Sequence, residues 1–276
     1  MATVRPAGLA SMAALATLGS CTAAPPPAPP ASAYPAPAPT AVSFFVVAHQ
    51  DDWQLFMNPA AFHSQNQPHE KAVFVHLTAG DAGQGDGGRG MGGAPTPYYL
   101  AREEGAMRAI RFLANADGTR PGLGPAADAS WVRRGGVRVL RVAYGPSVAY
   151  FLRLPDGNAP GLGSGYEATG FQSLEGLYAG RNAQVRSVDR KATYAGWSAL
   201  TRTLRAILES EAGGRDSATL HVTEKDAALN PVEHSDHRHA AIAAEQAAAL
   251  SRLCVRLHRH DTYDTRNRPA NVEGDD

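Results

Sequence analysis

The amino-acid sequence predicts an α/β fold: a Rossmann-like, doubly wound and mostly parallel sheet with helices on both faces. Three observations carry this prediction. Continuous apolar, β-rich runs of the kind found in strands buried on both faces recur along the chain. Segments with helical apolar spacing fill several of the intervals between them. Strands and helices that alternate in this way build parallel sheets.

The first run, Val42 to Ala48 (VSFFVVA), predicts a central strand that ends at His49. Lys71 to Thr78, Val137 to Ala143 and Ala218 to Thr223 predict three more strands. Tyr98 to Leu113 carries Leu100, Met107, Ile110 and Leu113 at helical spacing, and Tyr194 to Glu211 carries Trp197, Leu200, Leu204, Ile207 and Leu208. A third helix is read from the alanine-rich run Ala240 to Leu253, with Cys254 expected to pack behind it. Two Gly-rich segments, Gly80 to Pro97 and Asp156 to Gly180, interrupt the pattern, and loops of this length in a compact domain are usually functional.

Ahead of the first strand, residues 1–21 pair an early Arg5 with an apolar, small-residue stretch ending Leu18-Gly19-Ser20-Cys21, the layout of a secretory signal. The ending resembles a bacterial lipobox, so Cys21 is the expected lipidation site. Residues 22–41 are almost all Ala and Pro and are expected to form an extended, disordered linker. Residues 42–276 are then a single catalytic domain. These readings place the protein outside the cytoplasm, anchored through Cys21 at the outer side of the inner membrane or in the cell envelope, or else secreted. With Cys21 lipidated, Cys254 is the remaining cysteine of two and has no disulfide partner. Lys+Arg and Asp+Glu both number 26, and no basic run could neutralise several phosphates, so nucleic acid is not an expected partner.

Two motifs carry chemistry. His49-Gln50-Asp51-Asp52 follows the first strand, and ligands in parallel α/β sheets bind beyond the carboxyl ends of the strands. An imidazole and a carboxylate three residues apart on such a turn can converge on one cation. Adjacent carboxylates also repel unless something positive is near. The plainer reading is a helix-capping turn, since Asp is a favoured N-cap. His234-Ser235-Asp236-His237 lies after the fourth strand and before the last helix; its spacing suits one ligand and one proton carrier. Together the motifs offer two His and one Asp for a catalytic metal, with Asp51 and a second His left as base and acid. His239 reads as a solvated helix residue, and His63, His69, His76, His221, His258 and His260 show no grouping.

The pair Ala48-His49-Gln50-Asp51-Asp52 and His234-Ser235-Asp236-His237 resembles the hallmark of the PIG-L/LmbE-like zinc-dependent N-acetylglucosaminide deacetylases, Ala-His-Pro-Asp-Asp near the start and His-x-Asp-His near the end. The similarity extends through Leu77 to Gly83 and the helix bearing Arg102-Glu103-Glu104, covering most of residues 43–250. The resemblance implies an LmbE-like fold and removal of an N-acyl group, typically N-acetyl, from an amino sugar or glycoconjugate. It implies that His49, Asp52 and His237 bind Zn2+ or another divalent transition metal. Asp51 would deprotonate the attacking water, His234 would stabilise the oxyanion and protonate the leaving amine, and Asp236 would orient its neighbours. Arg102 matches a substrate-holding arginine, although a helix-surface ion pair accounts for it equally well. Asp156, in Leu154-Pro155-Asp156-Gly157, corresponds to a further substrate contact or to a plain turn.

The chain departs from the family at Gln50, where Pro is usual, and at Trp53, where an acidic residue is common. Neither is an inferred ligand, and Trp53 is expected to fill core beside Leu55 and Phe56. The sequence also stops soon after the last motif, where relatives often continue into another helix. The rival reading is a cell-surface carbohydrate-binding lipoprotein that keeps the fold without catalysing. A nucleotide site on Gly80-Asp81-Ala82-Gly83-Gln84-Gly85 is disfavoured because the spacing fits neither the dinucleotide fingerprint nor the P-loop.

Overall fold

The computed structural model describes residues 39–87, 89–90, 94–116, 127–157 and 165–269. The signal with Cys21, nearly all of the Ala/Pro linker and the chain's final residues lie outside them. In chain order the elements are β1 (Ala41–Val47), α1 (Asp52–Phe56), α2 (Asn58–Asn66), β2 (Glu70–Thr78), β3 (Arg89–Gly90), β4 (Ala94–Pro97) and α3 (Tyr98–Asn115). Then follow β5 (Asp128–Arg134), β6 (Val137–Tyr144), β7 (Ser147–Leu154), α4 (Leu174–Tyr178), β8 (Val185–Arg186) and β9 (Thr193–Tyr194). The chain continues with α5 (Trp197–Ala212), β10 (Ser217–Thr223), α6 (Ser235–Ala249) and β11 (Cys254–His260), with 3-10 segments at Glu167–Thr169 and Tyr263–Asn267.

The main sheet has seven strands in the order β11-β10-β1-β2-β7-β6-β5. The five from β11 to β7 run parallel, and β6 and β5 add an antiparallel edge. The fold is therefore α/β with a mostly parallel sheet flanked by helices. β1 is apolar throughout because both of its faces are covered: Phe44 and Val46 pack towards α5 and α6, Phe45 and Val47 towards α1, α2 and α3. On the first face the buried alanines Ala240, Ala241, Ala243, Ala244 and Ala247 line the contact between α6 and its neighbours, where small side chains permit close approach. The chain reverses direction across the sheet at β1, which has β2 on one side and β10 on the other, so a crevice forms beyond the carboxyl ends of β1 and β10.

Several sequence expectations are corrected. Val137 to Ala143 is a strand, but an antiparallel one; the parallel strand that leads to Asp156 is β7, which the sequence reading missed, as it missed β5 and β11. The signal was present in Gly135-Gly136, whose positive φ values of 56° and 90° form the two-residue turn between β5 and β6. The last helix begins at Ser235 and ends at Ala249, because the 234–237 motif is its first turn. Cys254 does not pack behind a helix; it is exposed at the start of β11. Leu55 is solvent-exposed, whereas Trp53 is buried against Phe74. The segment Asp156 to Gly180 is not a bare loop, since α4 lies within it. Among the described residues no helix is long and apolar enough to cross a membrane.

One buried carboxylate ties α5 to the sheet. Glu211 accepts from Tyr150 Oη at 2.5 Å and Arg141 Nε at 2.9 Å, and pairs with Lys71 Nζ at 2.5 Å. Burial would push its carboxyl up, but these donors hold it down at about 2, below the ordinary glutamate value of 4.5. Because the folded value is depressed, its contribution is present above pH 4.5 and is lost as pH falls from 4.5 towards 2. Glu211→Gln is expected to cost about 2 kcal/mol at neutral pH, since it removes the carboxylate that the half-buried Lys71 and Arg141 share. Urea melts at pH 7 and pH 3 check this: the wild-type advantage shrinks at the lower pH.

Candidate metal centre

The two motifs, 188 residues apart in sequence, meet because β1 and β10 are neighbours in register. His49 follows the end of β1, and its backbone N–H donates to Asp52 Oδ2 at 2.7 Å, which turns Asp52 Oδ1 inward. His237 lies in the first turn of α6, whose start is tied to the end of β10 by Thr223 Oγ1 donating to the His237 carbonyl at 2.9 Å. His49, Asp52 and His237 are all buried.

Their facing atoms form a compact triangle. His49 Nδ1 lies 3.0 Å from His237 Nε2 and 3.4 Å from Asp52 Oδ1, and His237 Nε2 lies 3.1 Å from Asp52 Oδ1. Donors bound to one tetrahedral zinc at about 2.0–2.1 Å stand about 3.3 Å apart. The outer nitrogen of each ring faces a carboxylate: His237 Nδ1 is 2.6 Å from Glu233 Oε1, and His49 Nε2 is 3.6 Å from Asp236 Oδ2 and 3.9 Å from Asp156 Oδ1. Glu233 holds the His237 ring proton on Nδ1, so His237 Nε2 presents its lone pair inward, while Asp236 and Asp156 stand beyond hydrogen-bond distance of His49 Nε2 and attract positive charge to that ring. The lone pair of His237 Nε2 and the Asp52 carboxylate, both facing His49 Nδ1, call for a proton or a cation between them, and the donor set fits a metal ion. A second set, His49, His234 and Asp236, also gathers its ligand atoms within 4.8 Å. In it Asp236 Oδ2 lies 3.6 Å from His49 Nε2 and 3.9 Å from His234 Nδ1.

Electrostatics carries the same message. Burial would lower the His49 imidazole, but Asp52, Asp236 and Asp156 raise it well above the ordinary value. His237, lowered by burial, is pulled up to about 9 by Asp52 and Glu233. Burial would raise the Asp52 carboxyl, yet His237 and His49 hold it well below the carboxylate range. The acidic cluster thus recruits protons when no other cation is bound.

The remaining predicted residues surround this triangle. Asp51 points outward and is ion-paired through Oδ1 with Arg102, which also donates to the Gly80 carbonyl at 3.2 Å. His234 is the N-cap of α6, and its Nδ1 accepts from the Asp236 N–H at 3.1 Å, so the neutral ring carries its proton on Nε2. Burial lowers the His234 imidazole, and Asp236 only partly restores it. Asp236 is fully buried and accepts from Gly157 N at 2.7 Å; a Cβ at Gly157 would stand 2.7 Å from Asp236 Oδ1, so only glycine fits there. Asp156 is buried beside His49, and its Oδ2 accepts from Ala82 N at 2.9 Å while Asp81 accepts from Asp156 N at 2.9 Å. This reciprocal lock fixes the start of the first Gly-rich segment against the end of β7. Gln50 is buried and donates to the Thr78 carbonyl at 3.0 Å. His239 is not fully solvated: it is half-buried against Tyr178.

Three features escaped the sequence reading. Glu233 is buried behind His237 and is itself held by Thr262 Oγ1 at 2.5 Å; its place one residue before the second motif was the available signal. Tyr263 stacks on His237 at 5.5 Å between centroids, with Phe56 edge-on to it, giving the crevice an exposed aromatic wall. Arg153, at a left-handed φ of 61°, bridges Glu103 at 2.6 Å and Asp189 at 2.6 Å, fastening α3 beside Arg102 to the end of β7. No sequence pattern announces that pairing.

Comparison with known proteins found no protein-family model, no curated protein and no solved structure that matches this chain.

Metal binding at this triangle must displace the protons its imidazoles hold, so affinity for Zn2+ rises with pH from 6 to 8 and binding releases protons. Titration calorimetry in buffers of different ionisation enthalpy measures that release. Glu233→Gln is expected to weaken Zn2+ binding about 10–100-fold, the usual effect of removing a carboxylate behind a ligand imidazole.

Proposed function

We propose that this chain is a zinc-dependent hydrolase that removes an N-acyl group, N-acetyl in the first instance, from an amino sugar or glycoconjugate, as the PIG-L/LmbE-like deacetylases do. The observation that carries the reading is the triangle of His49 Nδ1, Asp52 Oδ1 and His237 Nε2, with separations of 3.0–3.4 Å and a carboxylate behind each ring. Two His and one carboxylate leave a position for water and substrate, as catalytic rather than purely structural zinc sites do. Zinc, when bound, supplies Lewis acidity that polarises the amide carbonyl and makes water a better nucleophile near neutral pH.

This chain's own residues do the rest. Asp51, at the open rim beside the triangle, takes the proton of the attacking water, and Arg102 fixes the position of its carboxylate. His234 presents Nε2–H, the proton its N-cap hydrogen bond leaves on that nitrogen, to the developing oxyanion and then to the leaving amine, and the proton that Asp51 drew from the water restores it, so both side chains end as they began. Asp236 and Asp156 keep the His49 ring in place. Tyr263, stacked on His237 and partly exposed, offers an aromatic face of the kind that sugars stack on. The products are a carboxylate, acetate in the simplest case, and a free amine. The LmbE-like form of the fold, export and anchoring through Cys21 belong to the same proposal.

Amine release from N-acetylglucosamine-containing compounds, together with metal content, tests it. Asp51→Asn is expected to keep about one zinc at this centre while turnover falls about 10²–10⁴-fold. Near-normal turnover in that variant would remove Asp51 as the base. Metal bound without release from any acylated amino sugar would move the reading to a non-catalytic carbohydrate-binding protein, and no metal at this centre would end it.

A further inference from the structure

Three of the histidines that appear ungrouped in the sequence are brought together by the sheet. His221 on β10 and His258 on β11 are register partners in adjacent parallel strands, and His260 lies two residues beyond His258 on the same face. The His221 ring is stacked between Phe45, at 4.5 Å and 10°, and His258, at 5.0 Å and 18°. The His260 ring lies 5.2 Å from that of His221, and His221 Nδ1 is 2.9 Å from His260 Nε2. This is nearly the same nitrogen-to-nitrogen approach as at the metal centre, where His49 and His237 stand 3.0 Å apart.

We propose that His221, His258 and His260 form a second, separate binding site for a divalent ion of the zinc, copper and nickel class. A His-x-His pair on one strand, with a third histidine on the neighbouring strand, presents three imidazoles on one face within about 5–7 Å of each other, from the spacings of the pleated sheet. Imidazole is a preferred ligand for these ions, and geometry rather than raw affinity selects among them. His221 is fixed by its stack and is buried, so its nitrogen is preorganised. His258 is exposed and stacks on His221, so it joins the other two as a ligand once its side chain rotates out of that stack.

Across the His221 Nδ1–His260 Nε2 contact of 2.9 Å one imidazole donates and the other accepts, so an ion that enters there takes the place of that single proton. Access is open on one side: a groove of about 750 Å³ between the α1–α2 region (Phe56, Pro59) and the end of β11 reaches His260, with the neighbouring Asp261 held by Arg268 at 2.8 Å. Arg259, the intervening residue, is turned away and pairs with Glu245 at 2.9 Å. The bland alternative is a core stack with one imidazole–imidazole hydrogen bond. It accounts for His221, but gives no reason for two further histidines, one exposed, on the edge strand beside it.

The test counts metal ions on the full chain without any affinity tag. Equilibrium dialysis against Zn2+ is expected to give about two ions per chain, one for each donor cluster. The double variant His258→Ala/His260→Ala should hold one ion and keep the turnover of the wild type, while Asp52→Asn should lose the other ion and keep this one. With Cu2+, the wild type should give electron paramagnetic resonance features of nitrogen ligation that diminish in the double variant. A wild-type stoichiometry of one, with that ion lost in Asp52→Asn, overturns the proposal regardless of how the double variant folds. So does a double variant that keeps two ions. An ion that remains in Asp52→Asn and is lost only in the double variant supports this site even if the His49 centre fails.

Discussion

Three potential metal-ligand atoms within 3.4 Å of one another, two imidazole nitrogens and a carboxylate oxygen, set the demand that the rest of this structure meets. Such a triangle is unfavourable unless a cation or protons neutralise it, and burial sharpens the demand because water cannot screen the repulsion. The surroundings are therefore acidic: Glu233 stands behind His237 and fixes which of its nitrogens carries a proton, and Asp236 and Asp156 place negative charge beside His49. What would be costly in an ordinary core is here a site that attracts positive charge.

The fold supplies rigidity for that arrangement. β1 and β10 are paired in register, so the turns that leave them cannot drift apart. The alanines of α6 let the helix sit close enough for Thr223 to hold the carbonyl of His237. On the other side of the crevice, the Arg153–Glu103–Asp189 cluster and the Asp81–Asp156 lock fasten α3 and the first Gly-rich segment to the end of β7. Arg153 holds a left-handed backbone that costs about 1–2 kcal/mol for a residue with a Cβ, offset by three hydrogen bonds between oppositely charged groups. The strain sits within β7, where its register with β2 shifts between Phe151 and Leu154 just ahead of Asp156.

The same sheet physics explains the histidines outside this centre. Pairing brings residues distant in sequence opposite one another, and His221 meets His258 for the same reason that Phe45 meets Phe74. Edge position then leaves the outermost ring of the row open to solvent. A ladder that is aromatic at its centre becomes imidazole at its edge, where ligands can reach it.

By itself the sequence determined the α/β class, the central strands from their unbroken apolar runs, and the two motifs that hold His49, Asp52 and His237. These are local signals, legible because strand burial and the start of a helix impose short-range patterns. Only the tertiary structure decided that β6 runs antiparallel, that Glu233 stands behind His237, that Arg153 joins Glu103 and Asp189, and that His221, His258 and His260 share a face. Each of those depends on strand order, register or a contact between distant segments. No periodicity along the chain encodes them, because they arise when the sheet assembles and brings distant residues to within one strand spacing.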